Sequence, residues 1–251
     1  MFESIRDYTI QTLTERFNAR PLIVPPQFQM REGVLRGEGL RMTNVAFETD
    51  LLRKVRVTYM DGGSAAQILT VMAFPRTVTD LPIFGADMLS FKGAPHLNVI
   101  DHQPLFKSDP AYVKRYIDPM ADLFARWEHL PARGRSLPPW TEDFFSPYSH
   151  YSRPDPEDAD QILDCYREYW DAYLDRVSAV SSLAPDDAPR IHARQAEYCR
   201  NHTENEQAES MLQKLFGNEW CEAFIRDFLF DVHPELPGIH QPQPSAALHN
   251  A

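Results

Sequence analysis

A carboxylate set in an apolar strand is the first feature of this sequence that could do chemistry. In HLNVIDHQPLF, Asp101 shares one strand face with Leu97 and Val99, while His96, Asn98, Ile100 and His102 share the other. A carboxylate on an apolar face is costly unless it is paired or placed at a site. Burial there raises its pKa into the range where it can donate protons near neutrality. Asp101 could equally cap the turn before Pro104, and the residues alone leave both roles open. His102 reads as a surface or hydrogen-bonded strand histidine, and Asp87 of IFGADML as a structural hydrogen-bonding residue within a strand. Asn201, His202, Glu204, Asn205 and Glu206 crowd together in YCRNHTENEQAESM, a polar density that reads as a solvated helix start.

The elements that must position these groups follow from hydrophobic spacing. In FESIRDYTIQTLTERF, Phe2, Ile5, Tyr8, Leu13 and Phe17 recur near a 3.6-residue period, which predicts an amphipathic helix ended by Pro21, Pro25 and Pro26. From Gly33 to about Pro104 the pattern changes to short alternating or apolar runs: LRMTNVAFET, RKVRVTYM, AQILTVMAFP, LPIFGADMLSF and HLNVIDHQP. Turn signals such as Asp61-Gly62-Gly63 and Lys92-Gly93 join them, with no helix between, so the sheet is expected to be a largely antiparallel meander. After Ser108, read as an N-cap, AYVKRYIDPMADLFARWEHL is helical with a break at Pro119. The Pro-rich stretch 131–156 carries Trp140, Phe144, Phe145, Tyr148 and Tyr151, too much apolar surface to leave in water, and is read as an ordered loop. Two helical stripes follow, one from Ile162 to Leu174 and one from Trp220 to Leu229, before a tail from about 234 that is expected to fray. Strands framed by helices predict a single-domain α/β chain over 1–251, of the α+β type: a three-layer α/β/α sandwich around the antiparallel sheet.

Composition narrows the function classes. With 43% hydrophobic and 12% aromatic residues in 251, the chain has the material for one packed core. A formal net charge of −11 argues against a nucleic-acid surface. No apolar run is long enough to span a bilayer, so a soluble, cytoplasmic protein is expected. Cys165, Cys199 and Cys221 are unpaired in spacing and read as reduced core residues, giving no metal site. There is no P-loop, GxGxxG after a strand, HExxH or GxSxG. An anionic partner would need a local basic patch, and the candidates are Arg53, Lys54 and Arg56, then Lys107, Lys114 and Arg115, then Arg133 and Arg135.

Taken together, LRKVRV, AFPRTVTDLPIFGADML with a downstream VIDHQP, LPPW followed by FFSPY and SRP, and NEQAESMLQKLFGNEW leading to FLFDV resemble the ferredoxin-dependent bilin reductases. The likeness runs from about Gly33 to Val232. It implies an antiparallel sheet between helices, with an open-chain tetrapyrrole held between the sheet and the C-terminal helices. It also implies electrons arriving singly from reduced ferredoxin, bilin radical intermediates, protons from side chains, no bound cofactor, and a monomer. By this likeness Asp101 is the central catalytic aspartate, Asn205 and Glu206 a catalytic polar pair on the helix side, and Arg153 a propionate holder. Thr70 and His102 complete the expected substrate-binding set. Members that make phycocyanobilin place a His and a Glu where this chain has Thr70 and Thr58, and threonine is no acid near neutral pH. The expected product is therefore phycoerythrobilin, from biliverdin IXα or 15,16-dihydrobiliverdin. A phycocyanobilin-forming reductase and a non-catalytic bilin carrier are the alternatives. The basic cluster at Arg53, Lys54 and Arg56 is the expected docking patch for acidic ferredoxin.

Overall fold

The computed structural model describes residues 1–134, 136–181 and 185–232. The expected tail from about 234, and Arg135, lie outside the described residues. Helix α1 (Glu3–Phe17) opens the chain and stops at Asn18, whose left-handed φ of 48° ends the helix. Strands β1 (Arg20–Pro21), β2 (Met30–Leu35), β3 (Glu38–Glu48), β4 (Leu52–Asp61), β5 (Ala66–Pro75), β6 (Ile83–Phe91) and β7 (Ala94–Gln103) follow, with a one-turn α2 (Pro26–Gln29) between β1 and β2. With β8 (His150–Ser152) at the far edge, the order is β1-β3-β4-β5-β6-β7-β8, with β2 also on β3 and every pairing antiparallel. The meander expected from the sequence is the observed sheet. The β6–β7 hairpin closes on Lys92 and Gly93, with φ of 53° and 75°, the left-handed pair that a two-residue turn requires.

Antiparallel register places residues in rows across the sheet. One row runs Asn44, Thr58, Thr70, Asp87, Val99, Tyr151, and another runs Ala46, Arg56, Met72, Gly85, Asp101. On the opposite face Phe84 and His102 meet Tyr166, Tyr169, Trp170 and Tyr173 of the long helix α5 (Ala159–Ala179). Helix α1 joins that layer, with Trp170 Nε1 donating to Thr12 Oγ1 at 2.9 Å and Tyr8 Oη to Asp171 at 2.7 Å. Helices α6 (Ala188–Glu204), α7 (Glu209–Phe216) and α8 (Asn218–Phe224), with the turn Ile225–Leu229, cover the other face. The three layers match the sandwich expected from the pattern. Among the described residues no helix is long and apolar enough to cross a membrane.

Two local expectations are corrected. The helical segment after Phe106, α3 (Pro110–Tyr112) and α4 (Ala121–Trp127), is capped by Asp109 rather than Ser108: the Asp109 carboxylate accepts from the Ala111 and Tyr112 amides. The Pro-rich stretch also contributes a strand, β8 (His150–Ser152), paired to β7.

Candidate active site

Between the sheet and α6–α8 lies a cavity of about 500 Å³, within the range that holds extended organic ligands. Its sheet wall includes Arg56, Thr58, Thr70, Met72, Asp87, Leu97, Val99 and Gln103, and its helix wall Tyr198, His202, Asn205, Glu206 and Met211. Trp140, Phe145 and Arg153 close it from the Pro-rich stretch, and Phe224, Leu229 and Phe230 from the C-terminal segment.

Of the expected site residues, Thr70, Arg153, Asn205 and Glu206 line this cavity, and Asp101 and His102 do not. Asp101 is on the expected face but fully buried: its Oδ2 accepts from the Ser146 amide at 2.8 Å and its Oδ1 from the Ser146 hydroxyl at 2.5 Å. Burial pushes its pKa up to about 6, and those donors pull it partly back. Asp101 thus fastens the loop that presents Phe145 to the cavity. His102 lies on the far face, as strand alternation dictates, and its Nε2 is 2.9 Å from the Tyr169 carbonyl. Burial holds it neutral, with a pKa lowered to about 3, and it does not line the cavity.

The cavity's sheet-side acid is Asp87. It lines the cavity and is solvent-accessible there, while the surrounding protein raises its pKa by desolvation, opposed by the Arg56 charge and the nearby Thr70 hydroxyl. Glu206 faces it from the helix side. Burial pushes the Glu206 pKa up to about 7, although the Ala208 amide donates to it at 2.8 Å and Arg56 also favours its charged form. Asn205 spends its amide N–H on the Asn201 carbonyl at 2.8 Å, closing the end of α6. Thr58 donates to Asn44 Oδ1 at 2.6 Å and offers the cavity no acid. His202 donates from Nδ1 to the Tyr198 carbonyl at 3.0 Å, stacks on Tyr198 at 3.9 Å and is held neutral by burial, its pKa lowered to about 4.

The signal that could have found Asp87 was register: a strand acid in one row with Thr58 and Thr70, flanked on its face by Gly85 and Leu89. The basic run LRKVRV was also misread. Arg53, Lys54 and Arg56 are buried, and they hold the C-terminal segment rather than face a partner. Lys54 Nζ donates to Phe228 O and Asp231 Oδ1, both at 2.5 Å, and Arg53 to Asp231 O at 3.2 Å.

A largely apolar cavity with one acid on each wall defines a protein that can hold an extended ligand and protonate it from two sides. The family model described as ferredoxin-dependent bilin reductase matches residues 6–231. The chain is 33% identical to the phycoerythrobilin:ferredoxin oxidoreductase of Gloeobacter violaceus, over 96% of this chain and 99% of that one. It is 30% identical to the 15,16-dihydrobiliverdin:ferredoxin oxidoreductase of the same organism, over 92% of this chain and 95% of the relative. A crystal structure of phytochromobilin synthase from tomato in complex with biliverdin superposes with a TM-score of 0.82 at 20% identity, covering 92% of this chain and 83% of that one. The chain belongs to the ferredoxin-dependent bilin reductases: it is an oxidoreductase that takes electrons from ferredoxin to reduce a bilin.

Proposed function

We propose that this enzyme forms phycoerythrobilin from 15,16-dihydrobiliverdin or biliverdin IXα, as a cytoplasmic monomer without a resident cofactor, with Asp87 and Glu206 as the proton donors. The observation that carries this reading is the pair of cavity acids on opposite walls, both biased toward the protonated form by burial. Each one-electron transfer makes the tetrapyrrole more basic, and the position of the nearest acid decides which atom is protonated. Thr58 and Thr70, in the same row as Asp87, supply no further acid, which speaks against reduction of the D-ring vinyl group. The names of the relatives at 33% and 32% identity support the same product. Asp101 has its carboxyl occupied by Ser146 and takes no part in proton delivery in this reading.

Anaerobic incubation with either bilin, reduced ferredoxin and its reductase, followed by chromatography, tests the assignment. Phycoerythrobilin is expected, and phycocyanobilin as the product overturns it. Asp87→Asn is expected to bind the bilin normally and lose about 10²- to 10⁴-fold in turnover. A carrier would bind and never turn over.

A further inference from the structure

Arg56 is a buried cation without an ion pair: Asp87, Glu206 and Asp231 act on it through space, but none lies within salt-bridge distance among the described residues. Its side chain leaves β4 toward the cavity between the apolar row neighbours Ala46 and Met72 and is 1% exposed. Its Nε donates to the Leu229 carbonyl at 3.2 Å, its Cζ lies 5.6 Å from the Phe230 ring centroid, and its Nη1 has no partner. No carboxylate lies within ion-pair distance among the described residues, whereas Lys54, two residues earlier on the same strand, is paired with Asp231. An arginine does not shed its proton to escape such a place, so a full positive charge stands in the cavity wall. An isolated buried charge is retained at a cost, and the cost is offset when an opposite charge arrives beside it. Neither cavity acid makes an ion pair or a hydrogen bond with Arg56 (Nη1 has no partner at all), and burial raises the pKa of both.

We propose that Arg56, buried in the cavity wall with its Nη1 unpartnered, is the counter-charge for the bilin radical anion, its guanidinium stabilising the negative charge that the transferred electron brings. The inference rests on the bilin-reductase reading above. Reduced ferredoxin is oxidised by one electron, and the bilin gains it and becomes a radical anion. A cavity carboxyl then gives one proton, leaving a neutral radical. Arg56 keeps all its protons throughout and meets the added negative charge first on the bilin and then on the carboxylate left by proton transfer, so it favours the first electron transfer more than it favours binding of the oxidised bilin. A propionate is the rival partner. It is already ionised before any electron arrives, so it would make Arg56 an affinity residue with no effect on potential.

The test is a spectroelectrochemical titration of biliverdin bound to the intact protein and to Arg56→Gln and Arg56→Lys. The Gln variant is expected to hold the first electron at least about tenfold more weakly, a midpoint about 59 mV more negative, while its affinity for oxidised biliverdin changes less than about threefold. Arg56→Lys is expected to stay near the parent value. An unchanged potential in Arg56→Gln, or a loss confined to affinity, overturns the proposal while leaving the enzyme a bilin reductase. Absence of biliverdin binding to the parent protein would sink the functional reading itself. Should Arg56→Gln fail to fold, the parent protein alone decides: bound biliverdin must be reduced at a more positive potential than free biliverdin at the same pH, and an equal or more negative value overturns the proposal.

Discussion

Asp87 and Asp101 are strand acids of the same type on the same sheet face, and what separates them is the partner each meets. Asp101 sits one row from Asp87, in line with Gly85, and both its oxygens are taken by Ser146. Removing that carboxylate leaves the buried Ser146 amide without an acceptor, so Asp101→Ala is expected to cost about 1–3 kcal/mol. It should also raise KM by loosening Phe145, with kcat largely kept, whereas Asp87→Asn should lower kcat with binding intact. Stopped-flow turnover and chemical denaturation of the two variants check the split, and equal kcat losses would refute it. The Asp101 pKa of about 6 in the fold, against 3.8 unfolded, fixes a sign as well. Its contribution to stability is fully present below the unfolded value and is lost as pH rises through about 6, and Asp101→Asn should flatten that slope. Glu206 titrates near 7, so its donor form is present below that pH and disappears above it. Turnover should fall as pH rises through 7, and Glu206→Gln should remove that limb of the profile. An acid on an apolar strand face was legible from the sequence, but which of two acids meets the cavity was not. That choice depends on Ser146, brought from 45 residues downstream by the fold.

At the scale of elements, alternation and 3.6-residue spacing placed helices and the meander best where the apolar period matches the buried face, as Ile162, Tyr166, Tyr169 and Tyr173 do on α5. Strand β8 escaped because three residues carry no period, and its pairing to β7 is a tertiary choice. The cations of β4 escaped for a different reason. LRKVRV looks like a solvated basic face, yet Arg53, Lys54 and Arg56 bond the carbonyls of Asp231, Phe228 and Leu229. These bonds tie the segment carrying the cavity residues Leu229 and Phe230 to the sheet. Burial lowers the Lys54 pKa to about 8 even though Asp231 lies beside it. Asp231→Ala would leave two buried cations without their carboxylate, at a cost of about 3 kcal/mol. For a chain of this size that is a melting temperature lower by about 6–12 °C, and calorimetry reads it directly. Charge reversal at Arg53 or Lys54 should likewise impair folding rather than merely slow reaction with ferredoxin.

The whole molecule is organised around a space that its own side chains leave open. The cavity walls draw on residues from Met42 on β3 to Phe230 near the end of the described chain, so the layer of α6–α8 covers a sheet face that protein alone does not fill. A bilin seated there becomes the missing layer and binds the folded state alone. Mass action then stabilises the fold by about 2.7 kcal/mol at a hundredfold excess over Kd, equivalent to roughly 5–11 °C in melting temperature. Because the ligand touches the sheet, the C-terminal helices and the Pro-rich stretch together, the shift should move one cooperative transition rather than split it. The same shift is expected for Asp87→Asn, whose carboxamide keeps the shape of the wall while losing the acid. That variant therefore separates the two tasks of the fold. If it loses the biliverdin-induced shift along with turnover, Asp87 is a binding group, and the assignment of proton delivery to the sheet wall fails.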